Sequence, residues 1–214
     1  MVRRPRKSVC GLSPLKRLIY LISPLKIEKS FYNKLDKVLA FKNVKYFQLR
    51  LKNTKKKEII QISTKIKKIT SKHNVKFILN DNFFLTDIIK ADGCHMGQFD
   101  GSFPDARKKL KHKIFGITCH SSKSLIKNAV KFKADYIALG SFFESKLKPN
   151  AKKAKMSILK WAKKEIKKPI VVIGGINNHN YKKLINAGAK YIAISSFIWD
   201  NPNLKPEQAI KMFK

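Results

Sequence analysis

Eight times along this chain a short β-branched or apolar run ends in polar or glycine residues and gives way to a lysine-studded amphipathic stretch. The runs fall at 17–23, 44–50, 75–80, 93–96, 114–118, 136–140, 170–174 and 191–195. Between and after them the pattern predicts helices over 28–41, 54–73, 82–90, 103–110, 121–133, 155–167, 178–187 and 206–213. In the second of these, Ile59, Ile62, Ile66 and Ile69 recur at spacings of three and four, which makes one apolar stripe on a basic helix. Thr54 and Ser121 stand where N-caps belong, and Gly188 follows the seventh helix as a C′ residue would. Eight strands alternating with eight helices in about 200 residues is the arithmetic of a (β/α)8 TIM barrel, an α/β fold. A doubly wound open sheet would carry a glycine-rich turn after its first strand, and Leu21 to Lys26 contain no glycine. No Pro- or Ser-rich linker divides the chain, so a single barrel domain is expected over 17–214, behind a basic N-terminal extension at 1–16.

The formal net charge of +35 raises the question of a nucleic-acid partner. A dedicated nucleic-acid surface concentrates Arg and aromatics in one segment. Here only six residues are Arg, against 42 Lys spread over the whole chain, so no nucleic-acid partner is expected. Cys10, Cys94 and Cys119 form no paired or metal-binding spacing, which fits a reducing cytoplasm. No apolar run approaches the roughly 18 residues of a membrane span, and Pro14 and Lys16 interrupt any signal-like apolar stretch. The expectation is a cytoplasmic protein without a membrane partner, compatible with a homo-oligomer.

In such a barrel the chemistry sits at the C-terminal ends of the strands. After the second strand, period-2 alternation aims Gln48, Arg50 and Lys52 the same way. The third strand ends at Asn80-Asp81 and the fourth leads to Asp100, two acids at adjacent strand ends in a chain with only 13. Simple ion pairs with the abundant lysines are one reading of these acids; a Mg²⁺ site, which needs one or two carboxylates plus substrate phosphate oxygens, is the other. The fifth strand presents Thr118 and His120, and the loop after the sixth carries Ser145 and Lys148. Gly174-Gly175 and Ser195-Ser196 follow the seventh and eighth strands, the usual phosphate-binding loops of this fold. A glycine pair is more often a turn than a phosphate cradle, so the coincidence of many strand ends carries the weight. His120 is balanced between an interior histidine and a substrate contact. His95 alternates with Cys94, so one of the two faces the barrel centre, and a structural role fits His95 better. Cys94 and Cys119 read as small apolar fillers.

These residues resemble the thiamine-phosphate synthase family over about 18–198. The resemblance rests on QLRLK (48–52), LND (79–81), DGCHMGQFD (92–100), GITCH (116–120), GSFFESKLK (140–148), VVIGGI (171–176) and AISS (193–196). It implies a transferase that couples hydroxymethylpyrimidine diphosphate with thiazole phosphate, releasing pyrophosphate and thiamine phosphate by a Mg²⁺-assisted dissociative substitution. By the same resemblance Gln48, Arg50 and Lys52 contact the diphosphate and pyrimidine, Asn80 and Thr118 bind diphosphate, and Asp81 and Asp100 hold Mg²⁺. Ser145 and Lys148 face the thiazole and the leaving group and, with Arg50, are the catalytic candidates. Gly175, Ser195 and Ser196 cradle the thiazole phosphate.

Three positions of the loop after the sixth strand depart from the family pattern: Ser141, Glu144 and Leu147 stand where Pro, Pro and Thr are usual. The first strand reads Ser23-Pro24 where an acid often follows. Two alternatives remain at this point. A thiazole tautomerase-like paralogue of the same barrel needs no diphosphate or metal site and uses a histidine near the end of the fifth strand, where His120 lies. A basic nucleic-acid-binding barrel would give no reason for paired acids at adjacent strand ends.

Overall fold

The computed structural model describes residues 17–144 and 152–213. Eight parallel strands close into a barrel in sequence order: β1 (Ile19–Ile22), β2 (Val44–Leu49), β3 (Lys76–Asn80), β4 (Gly93–Met96), β5 (Ile114–His120), β6 (Tyr136–Gly140), β7 (Ile170–Ile173) and β8 (Tyr191–Ile194). β8 pairs with β1 through Ile19↔Ile192, Tyr20↔Ala193 and Leu21↔Ile194, which removes every sheet edge. Around the strands lie α1 (Phe31–Leu39), α2 (Lys56–Lys72), α3 (Phe103–Leu110), α4 (Lys123–Lys131), α5 (Met156–Glu165), α6 (Tyr181–Asn186), α7 (Ser196–Trp199) and α8 (Pro206–Ala209). The expected N-terminal extension at 1–16 lies outside the described residues.

Alternation explains the two-layer core. Outward positions such as Leu21, Phe47, Phe77, Cys94 and Phe115 meet the helices, among them Ile62 and Ile66 of the α2 stripe. Inward positions fill the barrel with Tyr20, Tyr46, Tyr136 and Tyr191 beside Ile78, Val171 and small Ala138 and Ala193. Interiors of this fold favour branched aliphatics, so four tyrosines demand partners for their hydroxyls. Tyr20 and Tyr136 supply each other at 2.7 Å. Gly116 makes the room, because a Cβ there would lie 2.0 Å from Cζ of Tyr136.

Three local expectations need correction. The helix predicted over 82–90 is a single 3₁₀ turn, Phe83–Leu85, followed by turns. Thr86 hydrogen-bonds back to Phe83 O at 2.8 Å, and Lys90 turns left-handed at φ 52°, so local polar bonding replaces the helical ladder. Both caps are off by one: Ser122, not Ser121, accepts the Leu125 N–H, and Lys55 precedes α2 while Thr54 bonds Lys52 O. The last predicted helix breaks into α8 and a 3₁₀ turn, Ile210–Met212. Gly188 takes the left-handed C′ position at φ 114° as expected.

Candidate active site

The C-terminal ends of β2, β3 and β4 bring the cations and acids together. Gln48 is buried in the barrel mouth, Arg50 half-buried and Lys52 exposed. The Lys52 ammonium donates to the Asp81 carboxylate, an ion pair across neighbouring strand ends. Asp81 leaves β3 in a left-handed turn at φ 65°, its N–H donating to His95 O at 2.8 Å. Asp100 closes its own loop by accepting the Gly97 N–H at 2.7 Å.

The two carboxyl groups reach each other as well. Partial burial raises Asp81, and the neighbouring Asp100 raises it further against the pull of Lys52. Burial would also raise Asp100, but its bonds from Asp81 and the Gly97 N–H, with Lys52 nearby, outweigh that and lower it. Two carboxyls in contact must share a proton or a cation. Among the described residues no third His, Cys, Asp or Glu joins them.

Behind this pair lies a buried polar chain. His95 faces the barrel interior and Cys94 the helices, which settles their alternation. The His95 ring lies 3.0 Å through Nδ1 from the Tyr136 hydroxyl and 2.8 Å through Nε2 from Thr118 Oγ1. It stacks on Tyr136 with planes 10° apart. Burial holds its pKa down to about 4, so it is neutral near pH 7. Gln98 donates to Thr118 O, so Thr118 is fixed from two sides. His120 ends β5 exposed, at φ 50°. Neither Tyr136 nor Gln98 is assigned a role from the sequence, although Gln98 lies in the segment after the fourth strand. Only the inward alternation of β6 could have flagged Tyr136, and nothing local flags Gln98.

On the opposite rim, Gly174 (φ 106°) and Gly175 (φ 57°) follow β7. A Cβ at Gly174 would lie 1.8 Å from Ser141 Oγ, and one at Gly175 2.0 Å from Glu144 O. The glycine pair therefore lets the loop after β6 pack on the loop after β7. Ser195 and Ser196 open α7, the short additional helix that in this fold commonly frames a phosphate. Four residues carry no periodicity, which is why the sequence hid it. Asn80 ends β3 opposite His95, on the acid side. Ser145 and Lys148 lie outside the described residues.

Cations, paired acids and hydroxyls stand on one rim of this (β/α)8 barrel, and glycine and serine backbone stands on the other. The family described as thiamine monophosphate synthase matches residues 19–198. A thiamine-phosphate synthase of Pelagibacter ubique is 47% identical over 200 residues, covering 93% of this chain and 97% of that protein. Another, of Erythrobacter litoralis, is 37% identical over 196 residues, covering 89% and 92%. The solved thiamine phosphate pyrophosphorylase of Pyrococcus furiosus shares the fold at a TM-score of 0.82 and 24% identity, over 93% of this chain and 94% of that one. The chain belongs to the thiamine monophosphate synthase family, and with it to the transferases of thiamine biosynthesis.

Proposed function

We propose that this face couples hydroxymethylpyrimidine diphosphate to thiazole phosphate. The contact of Asp81 with Asp100, with Lys52 already bonded to Asp81, carries the reading. A thiazole tautomerase has no use for that assembly.

The chemistry is dissociative. The pyrimidine methylene C–O bond breaks with its electron pair leaving on pyrophosphate, and the thiazole nitrogen lone pair then forms the new C–N bond. No protein nucleophile or general base is required. The protein holds both partners in line and neutralises the departing charge. Arg50 and Lys52 receive the diphosphate together with Asn80 and Thr118, while Gln48 turns a buried amide toward the pyrimidine. Thr118 can take that part because His95 and Gln98 fix it. Ser145 and Lys148, on the loop after β6, serve the thiazole and the leaving group, with Arg50 completing the catalytic set. Gly175, Ser195 and Ser196 receive the thiazole phosphate.

Two hard-oxygen carboxylates in mutual contact fit Mg²⁺, whose remaining positions would be filled by water and diphosphate oxygens. Asp81 and Asp100 would hold it, and when bound it would supply positive charge against the developing pyrophosphate. Among the described residues no helix is long and apolar enough to cross a membrane, and the cytoplasm is the compartment we propose. The partners proposed are the two small-molecule substrates and, in a homo-oligomer, further copies of the chain. The test is turnover with both substrates, followed by product mass and pyrophosphate release. Thiamine phosphate in the presence of Mg²⁺ is the expected product. Equal turnover in excess chelator would remove the metal assignment, and no product at all would remove the function.

A further inference from the structure

The two rims of the site meet at one residue. Ser23 follows β1, the strand where the barrel closes between β8 and β2, and is only 3% exposed. Its N–H donates to Gln48 O at 2.9 Å. Its hydroxyl oxygen accepts the Arg50 N–H at 3.0 Å and stands 3.0 Å from Pro24 O, an acceptor for its own proton. Its carbonyl accepts the Ser195 hydroxyl at 3.1 Å. One residue earlier, Ile22 O accepts the Trp199 indole N–H at 2.6 Å, which ties α7 to the same strand.

The location matters because the regular ladder has already stopped. β2 ends at Leu49 and the β1–β2 register at Ile22↔Gln48, so Arg50 stands beyond the sheet. The Ser23 hydroxyl satisfies the backbone N–H that would otherwise close a ladder bond there. Pro24 confines Ser23 to extended backbone, which limits the ways the serine can turn away. A single short side chain thus sets where the Arg50 guanidinium starts from, while the same residue's carbonyl fixes Ser195 on the phosphate rim.

We propose that Ser23 is a positioning residue that holds Arg50 in register with the Ser195 loop, so that diphosphate and thiazole phosphate are received at a fixed separation. The substrate identities rest on the function proposed above. The positioning rests on the contacts alone.

Pyrophosphate with Mg²⁺, titrated calorimetrically, is the probe, because it reports the diphosphate rim without turnover. Ser23→Ala is expected to weaken its binding about tenfold, the scale of one well-placed hydrogen bond. The KM for pyrimidine diphosphate should rise by a similar factor, and that for thiazole phosphate should change far less, since the carbonyl of residue 23 remains. Ser23→Thr, which keeps the hydroxyl, should restore most of the loss. In an Arg50→Ala background, Ser23→Ala should add almost nothing, because it acts through Arg50. Unchanged pyrophosphate binding in folded Ser23→Ala would overturn the proposal, as would full additivity with Arg50→Ala. So would equal losses on both substrates accompanied by a lowered Tm. If the binding pattern appears but no thiamine phosphate is made, the function fails and the positioning stands.

Discussion

The two ends of this barrel are built from the same lysine-rich material and arrange it differently. At the N-terminal end, Lys76, Lys90, Lys108, Lys111 and Lys113 line a groove of about 1030 Å³ with Asp87 and Asp92. Each of these acids is closed off by cations. Asp92 holds Lys67 at 2.7 Å and Lys76 at 3.4 Å and accepts the Phe77 N–H. Asp87 sits between Lys109 and Lys113. Both carboxyls are lowered, Asp87 chiefly by its bond from Lys109, and Asp92 because Lys67 and the Phe77 N–H outweigh burial. Lys108 and Lys109 also stand in the last turn of α3, where a cation complements the helix dipole. At the C-terminal end acid meets acid, and Asp81 rises instead of falling. Composition is blind to that difference. What separates the two ends is which charges are left facing each other.

The largest expected effect tests that contrast directly. Asp100→Asn should lower turnover on the order of 10³-fold, with Tm within a few degrees of wild type, because a partly exposed loop acid contributes little to the core. Asp92→Asn should do the reverse, destabilising by about 1–2 kcal/mol while turnover in the folded fraction is kept. If urea titrations and initial rates rank the two variants the other way round, the division between the ends is wrong.

Next comes Lys148→Ala, which should cost on the order of 10² in turnover if its ammonium meets the leaving pyrophosphate. The control must be a lysine with nothing to do. Lys133, expected on the outer helix after β5, instead lies in the turn beyond α4 at φ 56°, where any β-carbon is strained. Lys127, exposed within α4, is the better comparison and should be silent. Equal rates in the two variants would detach the loop after β6 from the chemistry.

Legibility in the sequence follows the same division. The eight strands were readable because β-branched runs alternate with amphipathic helices, and that pattern is enforced by burial along whole elements. Strand ends were readable because the fold dictates where they point, so Asp81 and Asp100 could be singled out before any distance was known. Contacts between distant residues were not readable. The Tyr136 hydroxyl reaches His95 only because Gly116 leaves a gap on the neighbouring strand. Gln98 reaches Thr118 through a loop whose path no local rule sets. The helix expected over 82–90 failed for the opposite reason: its apolar spacing was sound, and short-range bonding at Thr86 won.

A smaller effect separates the buried interior from both ends. His95 is neutral in the folded protein down to about pH 4, whereas an unfolded histidine takes up its proton near pH 6.5. Between those values the unfolded chain binds more protons, so stability is present above about pH 6.5 and is lost as pH falls toward 4. From pH 7 to 5 the loss from this one group should be on the order of 2 kcal/mol. Asp81, raised by burial and by Asp100, works in the opposite direction, since protonation relieves it. His95→Gln removes only the histidine contribution, leaving an amide in reach of Thr118 or Tyr136. Urea unfolding at pH 7 and pH 5 should therefore show a smaller difference for the variant than for wild type. Identical differences would mean that the ring is hydrated, and the buried chain from Thr118 through His95 to Tyr136 would have to be redrawn.

The smallest effect returns to the N-terminal groove. Asp87 is exposed between two flexible lysines, an arrangement in which Coulomb attraction is offset by side-chain ordering and screened by salt. Asp87→Asn should therefore leave Tm within about 1–2 °C and leave every kinetic constant unchanged, with any shift fading as salt is added. The value of so small a number lies in what a large one would mean. A substantial change in KM for either substrate would show that charge at the N-terminal end reaches the site through the barrel, which the closed pairing of Asp87 with Lys109 and Lys113 argues against. A loss of several degrees that salt does not alter would instead make the groove a packed element of the fold rather than a solvated face, and the two ends would then differ in chemistry alone, not in their tolerance of change.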